Sequence, residues 1–256
     1  MEAKRRVAVY FSGHIRNFKD NIDNYRRVFQ HLNVEFHYYF TLWRKNHDTA
    51  NNSWNYNNEM NKKLVDISNI TEKDIYDICP EAKNVVIIEE FDLPDEFSGY
   101  NPSAVFLMYS LYRGFQELAD TYDLYVRMRT DLYFFKGIDW EFILNNSHTY
   151  ELFIPENVHY TSKNYPNSNI FNDYFWISSY QVGKYISEIF KQITSMPRGI
   201  IVERYFALHI SMNMPKLLHC QFDLALERRT RGGFDANLVD ETTFYTERRK
   251  IEGDFI

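Results

Sequence analysis

The chain has 256 residues, 45% hydrophobic and 25% charged, which excludes an intrinsically disordered segment and favours a globular protein with a full core. At this length roughly 70–75% of the unfolded surface is buried on folding, enough for one large α/β domain or two small ones. The 29 basic and 35 acidic residues leave a formal charge of −6, which argues against a protein whose main task is to neutralise nucleic-acid phosphates.

Cys79 and Cys220 are the only cysteines, far apart in sequence, and do not make the disulfide framework of a small secreted protein. Reduced thiols in the cytoplasm are expected. The apolar run Val7–Phe11 near the start is too short for a signal peptide and reads as a first strand. No apolar run approaches the ~20 residues of a spanning helix, so membrane contact is expected to be peripheral at most. Aromatics make up 18% of the chain, with 20 Tyr and 21 Phe. They suit sugar or base stacking, but large core residues are the plainer explanation.

No repeat and no Pro/Gly/Ser-rich linker divides the sequence, so a single domain is expected. Arg6–Ser12 predicts a strand closed by Gly13, Asn17–His31 a helix, and Val34–Leu42 a second, aromatic strand. The Asn-rich stretch Asn46–Lys63 lacks an apolar period and reads as a surface loop, with Trp54 and Tyr56 set among its polar residues. Val85–Glu89 fits a buried parallel strand. Asn101-Pro102 is a helix start, Asn as cap and Pro at the first helical position, and Ala104, Met108, Leu111, Phe115 and Leu118 follow at helical spacing.

A strand is expected over Asp123–Phe134, then strands at Leu152–Pro155 and Tyr174–Ser178. A helix carrying Val182, Ile186, Ile189 and Ile193 comes next, then one from about Ile200 to Met212, and Lys216–Leu226 reads as a late strand. Strands alternating with helices predict an α/β fold whose mostly parallel sheet is covered on both faces, with ligands bound beyond the carboxyl ends of its strands.

The 123–134 stretch carries the chemistry. Alternation sends Arg127, Arg129 and Asp131 to one face, and Leu124, Val126, Met128, Thr130 and Leu132 to the other. Two arginines and an aspartate in a strand otherwise fit for burial suggest that its end lines a crevice. Arg129 and Asp131 lie about 6.6 Å apart along a strand, close enough to act on one ligand, whereas Asp123 is about 26 Å from Asp131. An Arg–Asp ion pair tying the strand to a neighbouring helix is the structural alternative.

VAVYFSGHIRNF, YDLYVRMRTDLYF and FNDYFWISS together resemble a loose group of GT-A-fold nucleotide-sugar glycosyltransferases found in bacterial surface-polysaccharide clusters and large viruses. The resemblance spans about residues 5–225. It implies a Rossmann-like GT-A domain with a donor-nucleotide half over about residues 5–135, an acceptor half over about 136–227, and a flexible C-terminal segment over about 228–256. It also implies transfer of a hexose or deoxyhexose from a nucleotide diphosphate sugar to a glycan or glycolipid hydroxyl, in the cytoplasm or, for a viral protein, the host cytoplasm.

Members of that class carry an Asp-x-Asp element whose last carboxylate binds Mn²⁺ or Mg²⁺. Arg129-Thr130-Asp131 keeps only the last Asp, so Asp131 is the implied metal ligand, with Arg127 and Arg129 on phosphate or orienting Asp131. The same resemblance places base and ribose near Ser12-Gly13-His14-Ile15-Arg16, where Gly13 permits close backbone approach and Arg16 can contact phosphate or stack on the base. Asp173 stands where an acidic residue contacts sugar or acceptor, and an Asx turn is the plainer reading. Glu203 is the other acid, a base for an acceptor hydroxyl or a solvated helix residue.

His209 and His219 are weaker metal candidates because neither belongs to a ligand-spaced pair. Arg228, Arg229 and Arg231 before Gly232-Gly233 form either a segment that closes over a diphosphate or a solvated basic tail. A noncatalytic carbohydrate-binding protein is the alternative function. A sugar nucleotidyltransferase is a third, weakened by the lack of a Gly-rich nucleotide loop with a following Lys.

Overall fold

The first strand, β1 (Arg5–Gly13), is buried continuously from Val7 to Ser12. Its side chains therefore alternate between two cores, Val7, Val9 and Phe11 to one face and Ala8 and Tyr10 to the other. The computed structural model describes residues 3–15, 18–44, 70–89, 102–155, 174–195, 205–206, 209–210, 216–220, 222, 224–226, 228–230 and 233–235. The predicted loop 46–63 and the Asn101 cap lie outside these residues, as does all of the predicted helix over 200–212 except 205–206 and 209–210, which are helical.

Helix α1 (Phe18–Val28) lays Phe18, Ile22, Tyr25 and Val28 on the first core. Phe11 stacks on Phe40 of β2 (Val34–Trp43) with ring centroids 4.7 Å apart and meets Phe18 and Tyr25 at 5.3 and 5.4 Å. Core packing thus accounts for these aromatics without a sugar. Helix α2 (Glu72–Ile78) was not foreseen; a capping box starts it, in which the Asp74 amide donates to the Thr71 hydroxyl and the Thr71 amide to the Asp74 carboxylate. Strand β3 (Ala82–Ile88) follows.

Helix α3 (Pro102–Gln116) covers the second face, with Ala104, Met108, Leu111 and Phe115 buried as their spacing predicts. Strand β4 (Leu124–Met128) is shorter than expected, because the predicted 123–134 strand breaks at Arg129–Asp131 and resumes as β5 (Leu132–Phe134) in another sheet. Then come α4 (Trp140–Asn146), capped by Asp139 and also unforeseen, β6 (Leu152–Pro155), β7 (Phe175–Ser178), and α5 (Tyr180–Glu188), which tightens into a 3₁₀ turn over Ile189–Ser195. The predicted 216–226 strand divides into β8 (Leu217–Cys220) and β9 (Leu224–Leu226). A hairpin of β10 (Arg228–Thr230) and β11 (Gly233–Asp235) closes the described chain.

The main sheet has the order β3-β2-β1-β4-β7-β6-β8. β7 pairs antiparallel with both neighbours and every other pairing is parallel, so the expected α/β architecture with a mostly parallel sheet is present. The reversal at β7 brings its start, next to Tyr174, to the edge where β1 and β4 end. Helices α3 and α5 cross closely on the second face: a methyl at Gly183 would stand 2.5 Å from the Phe115 ring and 2.9 Å from the Ser178 hydroxyl.

Candidate active site

Strands β1, β2, β3 and β4 all end at one edge of the sheet, the usual place for a ligand in an open α/β sheet. Gly13 closes β1 there with φ of +114°, a backbone region that side chains rarely adopt. A Cβ built on it would meet nothing within 4 Å among the described residues, so the main chain is open to close approach by them at this point. Ser12, one residue earlier, is buried, and its hydroxyl accepts from Arg127 Nε at 3.2 Å.

Arg127 does not line a crevice. Its side chain is wholly buried in the middle of the sheet, in register with Tyr10 of β1 and Trp176 of β7, and its guanidinium lies 5.1 Å from the Trp176 ring centroid. Burial pushes the Tyr10 phenol well above its ordinary range, partly opposed by the Arg127 charge and the nearby Trp176 indole. The sequence-based expectation that this charged strand end lines a crevice is corrected for Arg127: alternation gives its face rightly, but helix α3 covers that face.

Arg129 and Asp131 sit just beyond β4. The Arg129 amide still donates to the Tyr174 carbonyl at 3.0 Å, extending the β4–β7 ladder by one step before the chain turns. Its guanidinium then grips Asp131 through two bonds, Nε to Oδ1 at 2.9 Å and Nη2 to Oδ2 at 2.8 Å. The Asp131 side chain is fully buried, whereas that of Arg129 keeps 14% of its surface exposed. The turn is stitched to the end of β1 by Thr130, whose hydroxyl donates to the His14 carbonyl.

The other side of the turn is held by α1, a role that sequence reasoning missed. The Tyr25 hydroxyl lies 2.9 Å from the Thr130 carbonyl and 2.8 Å from that of Leu132, and Asn21 donates to Leu132 at 3.1 Å. Asn24 both donates to the Phe134 carbonyl and accepts from its amide, at 2.8 and 2.9 Å, in the manner of a neighbouring strand. Arg27 donates to the same carbonyl at 2.9 Å. The available signal was the pair Asn21 and Asn24 beside Tyr25 on a face that also carries Phe18, Ile22 and Val28, since amides on an apolar face need partners.

Ser12, Gly13, Arg127, Arg129 and Asp131 are thus gathered around the ends of β1 and β4, in two layers. Arg16, Asp173 and Glu203 lie outside the described residues, as do Arg231 and Gly232, and nothing is described of the side chains of His219, Arg228 and Arg229. His209 packs its ring 4.5 Å from that of Tyr205, near the Tyr185 hydroxyl, and burial lowers its pKa. At the same edge of the sheet Arg44 follows β2, where its Nε donates to Glu89 and its Nη1 to the Ile70 carbonyl at 3.2 Å.

The resemblance implies a divalent ion at Asp131. Among the described residues no group of three or more His, Cys, Asp or Glu is placed to hold one. Both Asp131 oxygens are also engaged by a cation. A hard ion at Asp131 would therefore compete with the Arg129 guanidinium for the one carboxylate the described residues offer at this turn.

No protein-family model and no curated protein matches this chain. Solved structures with a similar arrangement include a galactosyltransferase, LgtC, in complex with donor and acceptor sugar analogues, with 10% identity over 84% of this chain and 73% of that chain and a TM-score of 0.46. Mouse xyloside xylosyltransferase 1 in its apo form is similar at 7% identity over 86% and 85% of the two chains, with a TM-score of 0.46. The 4-diphosphocytidyl-2C-methyl-D-erythritol synthase of Anaerococcus prevotii is similar at 8% identity over 98% and 100%, with a TM-score of 0.48.

Proposed function

We propose that this chain is a glycosyltransferase that moves a sugar from a nucleotide diphosphate sugar to a hydroxyl of a glycan or glycolipid. The observation that carries the reading is the Arg129–Asp131 pair at the carboxyl edge of a parallel sheet, beside a main chain left open at Gly13. When an anomeric bond breaks, the departing nucleoside diphosphate gains negative charge, and a guanidinium fixed in place before the reaction stabilises that charge without reorganising. Arg127 adds a permanent cation behind the edge. The open stretch at Gly13 suits base and ribose, whose approach a side chain there would block.

In this reading Asp173 and Glu203 are the acids for sugar contact and for deprotonating the acceptor hydroxyl. Asp173 directly precedes Tyr174, whose carbonyl holds Arg129. We assign Trp54 and Tyr56 to the acceptor, as aromatic residues suited to pack on sugar C–H surfaces. No helix among the described residues is long and apolar enough to cross a membrane. We place the enzyme in the cytoplasm, where a chain with two cysteines needs no disulfide.

The test is thermal unfolding with UDP-, GDP-, CMP- and dTDP-linked sugars, because a ligand that binds only the native state raises Tm by mass action. One nucleotide series is expected to stabilise the protein selectively, and sugar transfer from that donor is expected to vanish in Asp131→Asn with the fold retained. Stabilisation by free glycans with no response to any nucleotide would mark a carbohydrate-binding protein instead. Near wild-type transfer by Asp131→Asn would remove the proposed site.

A further inference from the structure

We infer that Asp131 is a positioning residue for Arg129, and that this corner receives a diphosphate through guanidinium alone, without a divalent ion. The inference rests on the reading of the site as a diphosphate receptor and names the group that meets the phosphate. Three observations carry it. Both Asp131 oxygens accept from Arg129 at 2.8–2.9 Å, which engages the carboxylate in the planar two-bond geometry that arginine is built for. Asp131 is fully buried while Arg129 keeps its side chain 14% exposed, so an anion arriving from solvent meets the guanidinium first.

The turn itself is fixed from two sides. Tyr25 and Asn21 hold the carbonyls of Thr130 and Leu132, and the Thr130 hydroxyl holds that of His14. Turning Asp131 outward to ligate an ion would break two charge-assisted bonds and strain this frame. Electrostatics point the same way, because Arg127 stands two residues before Arg129, about 6–7 Å along the strand, and arginine stays protonated at any working pH. With Arg127 and Arg129 against the one carboxylate of Asp131, these three side chains carry a net positive charge, which opposes a divalent cation and draws a diphosphate.

The experiment is titration calorimetry on the full chain with UDP, GDP, CDP, dTDP and inorganic pyrophosphate, each in EDTA and in Mn²⁺. One nucleoside diphosphate is expected to bind in EDTA within about threefold of its affinity in Mn²⁺. Arg129→Gln is expected to weaken it by about tenfold or more in EDTA, with Arg129→Lys intermediate because a point charge cannot reproduce the fork. Asp131→Asn should weaken binding in EDTA as well, by releasing Arg129.

Binding that appears only with Mn²⁺, or an Asp131→Asn protein that binds normally in EDTA, would overturn the inference and leave the glycosyltransferase reading standing. Absence of binding by every probe in both conditions would overturn the reading itself. Should Asp131→Asn fail to fold, the wild-type comparison and the Arg129 variants decide the matter.

Discussion

Arg127 shows what one buried charge does to a sheet. It has no solvent contact, yet lies in a row with Tyr10 and Trp176 where an aliphatic side chain would ordinarily pack. Its planar head reaches Ser12 and at the same time lies against the Trp176 ring, two tasks that the point charge of lysine cannot combine. Arg127→Lys is therefore expected to destabilise the fold by about 2–4 kcal/mol, with the loss arising from a buried charge whose contacts are broken. Equilibrium denaturation measures it, and an unchanged midpoint would show that the guanidinium shape is dispensable there. This arginine was legible in the sequence as an anomaly of a strand, but its depth was not, because alternation gives the face and not what covers it.

At the scale of the element, α1 does the work of a strand. After β4 the chain must bend away from the sheet so that Arg129 and Asp131 can pair, which leaves the carbonyls of residues 130–134 without a ladder on one side; Tyr25, Asn21, Asn24 and Arg27 take that place. Tyr25→Phe removes the hydroxyl that lies between two carbonyls; Leu132 keeps its bond from Asn21, so the expected cost of about 1–3 kcal/mol comes from the Thr130 carbonyl left unsatisfied. It should also loosen the Arg129 fork, so the Arg129 Nε–H signal in NMR should shift while that of Arg26, bonded to Glu81, stays in place. A shift of neither signal would make Tyr25 a packing residue only.

Helices α3 and α5 offer a second case. Gly183→Ala forces a methyl into the Phe115 ring and is expected to cost about 1–3 kcal/mol by overpacking. Phe115→Leu in the same chain should recover part of that cost, a coupling that two independent sites would not show. The start of α3 was readable because burial on one face imposes the helical period, whereas β6, buried on both faces, was readable as a short apolar run. The break at 129–131 was not, since nothing in an alternating sequence marks where a carboxylate finds a partner two residues away. Helices α2 and α4 escaped notice because each has only seven residues, of which few are buried, so no period could develop.

Across the whole molecule, the two edges of the sheet have different tasks. The carboxyl edge carries Gly13, Arg129 and Asp131. The amino edge is tied by polar contacts that hold strands together: His37 bridges Glu35 and the Tyr122 hydroxyl at 2.7 and 2.8 Å, and Tyr122 meets Tyr39 at 2.5 Å. Partial burial and the bond to Tyr39 raise the Tyr122 phenol, while the bond to His37 lowers the Glu35 carboxyl. Beside them Asp123 accepts from the Arg6 amide and the Arg5 guanidinium, both at 2.7 Å, closing the start of β1 onto β4.

This division of labour can be read out in a pH experiment on Asp123. Partial burial alone would raise its carboxyl, but the Arg6 amide and the Arg5 guanidinium outweigh burial and hold it below its ordinary value. A carboxyl depressed in the native state contributes stability that is present in full above the unfolded value of about 3.9 and is lost as pH falls through the native value. Asp123→Asn keeps the shape and one acceptor but removes the charge, so it should lower Tm at neutral pH. The gap between wild type and variant should stay level from pH 7 to about 5 and close below about pH 4. Nucleoside diphosphate affinity at pH 7 should not change, because the residue lies at the far ends of the strands from Arg129. A gap that widens on acidification would contradict the depressed carboxyl, and a large loss of affinity would mean that the two edges are coupled through β4 rather than independent.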